Sequence, residues 1–540
     1  MLISAPGMRL PTLSLFAILT TALVLYWPGF GGFWLGDDLS NLHGAHYWAR
    51  EGDLASLLHR QFTQGVSEGG GFFRPFIILS LYLNYLVAGD RFGGWFAVNL
   101  AVHLANTFLV AWAILRITRH QEAGVLAPWA AVVAAGLFAL NPLIAEGVFW
   151  VSARSDGWVT LFALLGLLAW FGRPGGRGEH AWLLPTWLIP ALLFKEPAAF
   201  LPFAVGLLWL IHPPLRTRAR NWSLAVAFSI VAIFMAWRTV LFGNPWEVYI
   251  RLDPQARSGV TDKLLDAARG LPYWMDGLFG PQRPLATVLV SLVAIAALMA
   301  LMASARRSTG VAVLVSAVGL VFLTFANLGG IGINGEGGRL LYTPMAFLAL
   351  GIGAIMSGSV KKSGWSRRLM AAALTCALLA LLLSPVLLQA RLQHVWTVQD
   401  HLRGLIAALP EAVEDTTDHI IVLVPDHVGP VVVGRNGQGA MVTPPLQKTW
   451  MLHRAIPSLP QDLSLRHRQY TEGMRQRQNA RAQAQGVQVE HDEDPWPRRV
   501  ACWSPARAAL VTFSAPDPAN PDLWVAGLFQ GASAAGCLFQ

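Results

Sequence analysis

Runs of about 20 predominantly apolar residues, the length a helix needs to cross a hydrocarbon core, recur along this chain from residue 11 to residue 389. In lipid a backbone satisfies its hydrogen bonds only as helix or as closed barrel. The runs are unbroken stretches of Leu, Ala and Val without the two-residue alternation of a barrel strand, so the barrel is excluded. The fold class is therefore a polytopic α-helical membrane protein. Composition agrees, with 54% hydrophobic and 13% charged residues over 540 positions.

The runs fall near 11–30, 94–117, 125–146, 156–171, 181–194, 197–211, 222–242, 285–304, 309–327, 340–357 and 369–389, which gives about 11 transmembrane helices. Arg116 and Arg119, Arg173 and Arg177, Arg216 to Arg220, Arg306-Arg307, and Lys361-Lys362 with Arg367-Arg368 each follow an even-numbered run. By the positive-inside rule those loops and the N-terminus are cytoplasmic, and the C-terminal portion lies outside. The net charge of +9 is thus a topology signal. No nucleic-acid partner is expected, because no basic cluster has an aromatic groove or a folded nucleic-acid-binding context. The first run is longer than a signal-peptide core and lacks a small-residue cleavage site, so it is expected to be retained.

Residues 74–89 are apolar but short, and counting them as a span reverses every later loop against the charge rule, so they are read as an interfacial helix. Runs 156–171, 181–194 and 197–211 correspond to about 21 to 24 Å of helix against a core of about 30 Å, too short to cross fully. The turns carrying Arg154 and Asp156, and Lys195 and Glu196, are therefore expected below the outer surface, lining a cavity open to that side. Two domains follow. Residues 1–391 form the membrane domain, with a first outer loop at 31–93 and a second large one at 243–284. Residues 392–540 form an extracytoplasmic soluble α/β or α+β domain with strand-like runs at 420–424, 431–433, 509–513 and 523–528, and a polar helix or disordered loop between 466 and 499. Cys502 and Cys537 fall in that domain as a candidate disulfide, whereas Cys376 lies within a span.

The polar interruptions come in a fixed order: Asp37-Asp38 after the first run; Phe73-Arg74-Pro75 through Ser80, Asn84-Tyr85, Asn99, His103 and Asn106; Asn141-Pro142 through Glu146, Trp150, Arg154, Ser155 and Asp156; Lys195-Glu196; and Arg339-Leu340-Leu341-Tyr342-Thr343-Pro344. This order resembles the GT-C superfamily of polyprenyl-phosphate-sugar glycosyltransferases, most closely the transmembrane O-mannosyltransferase family that usually carries C-terminal tetratricopeptide repeats. Asn141 and Ile144 stand where that family usually has His, Gly338 stands where it has an acidic residue, and the repeats are absent. No histidine-based metal site is carried over.

The resemblance implies a GT-C-like fold and inverting transfer of a sugar from a polyprenyl-phosphate donor to an acceptor hydroxyl of a protein or glycan, on the outer face of a membrane; the high Ala, Gly, Arg and Trp content and the compact loops suit a bacterial inner membrane. It implies Asp37 as general base, with Asp38 orienting it or raising its pKa. Lys195 and Arg154 are the candidates for the donor phosphate, joined by Arg74 and Arg339. Mutual pairing is the structural alternative: Lys195 with Glu196, and Arg154 with Asp156 or Glu146. Arg74 and Arg339 are equally readable as snorkelling anchors. His103 with Asn99 and Asn106 makes a stripe suited to interhelical hydrogen bonding. Tyr342 reads as an interfacial aromatic, and Glu336 as a stand-in for the acidic residue missing at Gly338. Trp34, Trp246 and Trp274 are outer-side aromatics suited to a sugar face or a membrane belt.

Two other classes compete. A lipid or saccharide transporter predicts inverted repeats and broken spans near mid-membrane, which the sequence lacks. A scaffold displaying the C-terminal domain leaves the one-sided clustering of carboxylates and cations without a cause. Among enzymes, the alternative is a GT-C-like transferase or polymerase acting on a glycan or lipid-linked saccharide.

Overall fold

The structure, a computed structural model, describes residues 9–50, 52–65, 72–119, 127–172, 180–211, 215–242, 337–357 and 364–412, positions 313 and 315–317, and short stretches between 419 and 530. The described chain is mostly helical. Its helices are α1 (Arg9–Tyr26), α2 (Asp37–Arg50), α3 (Leu54–Gln64), α4 (Pro75–Ala88), α5 (Phe92–Arg119), α6 (Ala127–Ala139), α7 (Glu146–Phe149), α8 (Arg154–Phe171), α9 (Leu183–Phe194), α10 (Leu201–Ile211), α11 (Arg218–Phe242), α12 (Tyr342–Met356) and α13 (Gly364–Ala412).

Among the described residues six helices are long and apolar enough to cross a membrane, or seven if the bent pair Ala127–Ala139 and Pro142–Phe149 is one span. The outer faces of α1, α11 and α13 leave Phe16, Ile233 and Val386 exposed at 68%, 68% and 66%, which suits a lipid neighbour and not water. α5 packs against α1, α4, α6, α8 and α12 and forms the axis of the bundle. Two of the expected spans, 285–304 and 309–327, lie outside the described residues apart from positions 313 and 315–317, as do the 243–284 loop, Trp246, Trp274, Glu336, Cys502, Cys537 and the stretch 466–499.

Three local features shape the end of the bundle that holds Asp37 and Asp38. α6 stops before Pro142, which has no N–H to continue the ladder, and the Asn141 side chain accepts from Leu143 N–H at 2.9 Å, so the expected single span 125–146 bends by 44°. The run expected at 156–171 is longer than its apolar core: α8 begins at Arg154, and with the preceding 3₁₀ turn the span is 21 residues, Val151–Phe171. That corrects the expectation that it is too short to cross, because buried Arg154 and Asp156 are helical residues that an apolar count leaves out. α9 and the following Glu196–Leu210 segment remain short, separated at Lys195, whose backbone is extended.

At the other end of α8, the carbonyls left open by the last turn are met by guanidinium groups. Arg220 donates to Trp170 and Phe171 carbonyls at 2.9 and 2.8 Å, and Arg116 donates to the Gly172 carbonyl at 3.1 Å. Positive charge at a helix C-terminus also opposes its dipole. α13 is continuous over 49 residues, through the domain boundary expected at residue 391. Its C-terminal half holds the loop before α2: Gln399 donates to the Phe33 carbonyl, and Arg403 to those of Gly31 and Gly32. Beyond it, β1 (His419–Leu423), β4 (Ala455–Ser458), β5 (Ala508–Ser514) and β6 (Val525–Gln530) form a sheet of order β4-β1-β5-β6, parallel except for antiparallel β5-β6, and β2 (His427–Val428) pairs antiparallel with β3 (Val431–Val432).

Arg220→Met removes both buried donors at the α8 terminus and is expected to destabilise the protein by about 2 kcal/mol. The measurement is thermal unfolding in detergent, where an unchanged midpoint would show that those carbonyls find other donors.

Candidate active site

Asp37 and Asp38 open α2, where the helix dipole favours carboxylates. Gly36, at φ 49°, turns the chain into the helix. The two carboxylates then diverge. Asp37 is half-buried, whereas Asp38 is fully buried. Asp38 accepts from Ser152 N–H at 2.6 Å, from the Ser152 hydroxyl at 2.5 Å, from Val151 N–H at 3.3 Å and from Leu35 N–H at 3.4 Å. Asn41, one turn after Asp37, donates to the Ser152 hydroxyl at 2.8 Å. Asp38 is thus the clasp between α2 and the turn before α8.

Burial pushes the Asp38 carboxyl up to about 7, against hydrogen bonds from Ser152, Leu35 and Val151 that pull it down. Asp38 therefore titrates in the neutral range.

The segment from Glu146 to Asp156 touches nearly every other candidate residue. Trp150 donates from its indole N–H to the Leu35 carbonyl at 2.9 Å and lies under the Arg339 guanidinium, 4.2 Å from ring centre to Cζ. Arg339 pairs with Glu146, whose other oxygen accepts from Arg339 N–H at 3.2 Å. Arg391 of α13 donates to the Pro142 carbonyl at 3.0 Å and feels the Glu146 charge. Asp156 takes Lys195 on both oxygens at 2.7 and 2.6 Å. Glu196 holds Arg74 at 2.8 Å and Arg238 at 2.9 Å. Lys195 is repelled by both Arg74 and Arg339, so these cations share one region.

Several expectations change. Lys195 pairs with Asp156 and not with Glu196, because the extended backbone at Lys195 sends the two neighbouring side chains to different partners. Arg154 pairs with neither Asp156 nor Glu146: it is buried, donates to Asn84 Oδ1 at 2.9 Å and to the Ser80 and Trp95 carbonyls at 3.4 and 3.3 Å, and lies over the Trp95 ring. Its hydrogen-bond acceptors are neutral, with the Asp38 charge acting on it from further off, and they tie α4 to α5 and α8. Tyr342 is not interfacial: it is 1% exposed, its hydroxyl 2.7 Å from His103 Nδ1, while His103 Nε2 reaches the Ala139 carbonyl at 3.0 Å. The His103 stripe bonds between helices, with Asn99 donating to the Val148 and Trp150 carbonyls and Asn106 to that of Gly157. Trp34 is a core residue, edge-on to Phe92 and Trp95 at 5.2 and 5.0 Å, so it is unavailable to a sugar.

Gly338 stands where the resemblance has an acidic residue, and its surroundings give the reason. A Cβ there would lie 2.1 Å from the Leu143 carbonyl oxygen, which no side chain tolerates. Two residues escaped sequence reasoning. Arg238 is a charge near the C-terminal end of the α11 span, and Arg391 sits just past the expected last span. Their signal was present, a cation inside an apolar run, but neither belongs to a motif. Among the described residues no group of three His, Cys, Asp or Glu side chains is arranged to hold a metal ion.

A carboxyl whose pKa rises on folding contributes most to stability below its unfolded value of 3.8 and loses that contribution as pH rises through about 7. Relative to Asp38→Asn, the wild type is therefore expected to lose stability across that window, by up to about 1.4 kcal/mol per pH unit. Unfolding of both proteins at pH 5 and pH 8 is the check; parallel curves would contradict it.

No family model matches the chain. Among curated proteins it is similar to the protein O-mannosyl-transferase Tmtc1 of Drosophila melanogaster, 33% identical over 164 residues, covering 30% of this chain and 18% of that protein. It is similar to human protein O-mannosyl-transferase TMTC4, 27% identical over 197 residues, covering 33% and 26%, and to mouse TMTC2, 28% identical over 186 residues, covering 32% and 21%. The chain thus spans only about a fifth to a quarter of these relatives' length. Their names bear out the resemblance read from the motifs. Among solved structures, ArnT from Cupriavidus metallidurans bound to undecaprenyl phosphate aligns over 96% of this chain and 98% of its own, with 13% identity and a TM-score of 0.47.

Proposed function

We propose that this protein is an integral membrane glycosyltransferase of GT-C type, which moves a sugar from a polyprenyl-phosphate donor to an acceptor hydroxyl on the extracytoplasmic side. The observation that carries the reading is the joining of Asp37-Asp38, through Ser152 and Trp150, to a cluster of cations around Lys195.

Asp37 acts as the general base. It takes the acceptor proton while the acceptor oxygen attacks the anomeric carbon from the face opposite the phosphate. The bond from that carbon to the phosphate oxygen breaks, and configuration inverts. The leaving group changes from a phosphodiester to a phosphate monoester and so gains negative charge. Cations held ready where that charge develops stabilise the transition state more than the ground state. Lys195, Arg74 and Arg339 are assigned to this task, exchanging part of their contact with Asp156, Glu196 and Glu146 for the phosphate. Arg154, enclosed by α4 and α5, anchors α4 and does not meet the donor. Asp38 positions Asp37 by fixing the first turn of α2. The residues after α13 form an extracytoplasmic domain in this reading, and the acceptor is a protein or glycan hydroxyl.

Asp37→Asn is expected to lower transfer by about 100-fold or more in reconstituted vesicles while donor binding stays within a few-fold. Full activity in that variant would remove the base from Asp37. Lys195→Ala should instead weaken affinity for the lipid sugar by about tenfold or more, and an unchanged apparent affinity would count against its role. Mass spectrometry of the copurifying lipid should find a polyprenyl-phosphate sugar. Cysteine labelling from outside should reach a position beside Asp38 and miss one beside Lys361.

A further inference from the structure

Asn41 lies one turn after Asp37 on α2 and ends a short chain of hydrogen bonds whose direction is set from its far end. Asp38, when ionised, only accepts. Ser152 has a single hydroxyl proton, and it goes to Asp38 Oδ1 at 2.5 Å. The Ser152 oxygen is left with lone pairs, so its other partner must donate, and Asn41 does so from Nδ2 at 2.8 Å. The planar amide then turns Asn41 Oδ1 away from Ser152.

That oxygen is the open end of the chain. Among the described residues the Asn41 side chain makes no second hydrogen bond, and the residue is half-buried with its oxygen not enclosed. Neighbouring asparagines differ. Asn84 and Asn141 commit their oxygens to Arg154 and to Leu143 N–H, and the oxygens of Asn99 and Asn106 are enclosed by protein. An amide held in one orientation through Ser152 and Asp38, with its acceptor left open, is organised for a ligand that donates a hydrogen bond.

Its place narrows what that ligand is. Residues four apart on a helix share a face, about 5 to 6 Å apart at Cβ, so Asn41 neighbours the base assigned to Asp37. Its partner Ser152 belongs to the segment that also carries Glu146 and Asp156, the partners of Arg339 and Lys195. Asn41 is thus on the side of Asp37 that joins the segment holding the phosphate cations. In the transfer reaction the sugar ring occupies the interval between base and phosphate, and a sugar presents hydroxyls there.

Resting on the donor reading above, we propose that Asn41 is a donor-sugar-binding residue: its Oδ1, oriented by the Asp38 and Ser152 relay, accepts a hydrogen bond from one ring hydroxyl of the polyprenyl-linked sugar. Ser152 is the positioning residue of this contact and does not itself meet the sugar.

The test is binding to the full-length protein in nanodiscs at pH 8, with bare undecaprenyl phosphate and the same lipid carrying mannose, glucose, galactose or N-acetylglucosamine. Wild type should bind the bare lipid and bind at least one glycosylated form about tenfold tighter. Absence of binding to all of them would overturn the donor reading, whereas binding without a sugar preference would overturn this inference alone. Asn41→Ala should lose about tenfold on the preferred glycosylated lipid and stay within about threefold on the bare one. Monodeoxy forms of the preferred sugar locate the contact. One of them should bind wild type about tenfold more weakly than the parent sugar, yet bind Asn41→Ala as well as the parent does; equal losses in both proteins for every deoxy form would overturn the proposal. Ser152→Ala should weaken the glycosylated lipid by about threefold to fivefold, Ser152→Thr should restore it, and in the Asn41→Ala background Ser152→Ala should change nothing further. Additive losses would overturn the relay. Should Ser152→Ala fail to fold, the deoxy series on Asn41→Ala still decides the matter.

Discussion

Two backbone N–H groups and one hydroxyl, from Val151 and Ser152, converge on the Asp38 carboxylate, and this end of the bundle is organised around that convergence. α2 follows a loop of five residues after α1's closing turn and packs along α4, which leaves the setting of its first turn to be fixed. The clasp fixes it. Once the turn at 151–153 is tied to Asp38, Trp150 is set against Leu35 and under Arg339, Arg154 is directed into α4 and α5, and Asp156 meets Lys195. One short segment thereby coordinates four helices whose sequences are far apart.

The charges of this region obey the rule that an ion taken out of water keeps a partner or changes state. Lys195 has Asp156, Arg339 has Glu146, and Glu196 has two arginines. Such pairs are weak evidence for stability, since apolar residues of the same volume would often serve a bundle as well or better. Their concentration at one end, beside two carboxylates at a helix start, is what sets this end apart from the Arg116 and Arg220 end. There, guanidinium groups meet carbonyls of α8 and do structural work.

Much of this was legible in the sequence. Apolar runs locate most of the described helices, Asn141-Pro142 marks the bend in α6, and the His103 stripe at helical spacing bonds between helices as its pattern suggests. The runs at 420–424, 431–433, 509–513 and 523–528 fall on strands. Pairing partners were not legible. Lys195 and Asp156 lie 39 positions apart, and nothing local says that the extended backbone at Lys195 will turn it toward α8 and Glu196 toward α4 and α11. Arg238 and Arg391 escaped because a lone cation in a span has no neighbours in sequence to make a pattern. Tyr342 and Trp34 misled for a different reason. Composition assigns aromatics near helix ends to the membrane interface, whereas the short 3₁₀ turn before α12 and the loop before α2 fold theirs inward.

α13 touches this end at three places, through Arg391 to Pro142, Gln399 to Phe33 and Arg403 to Gly31 and Gly32. A helix without a break turns as a rigid rod, and a slip of one residue would swing every side chain by roughly 100°. All three contacts would then be lost together. The rod's rotational setting therefore acts as a key: the loop leading to Asp37 takes its shape in one angular position of α13 and not in the neighbouring ones.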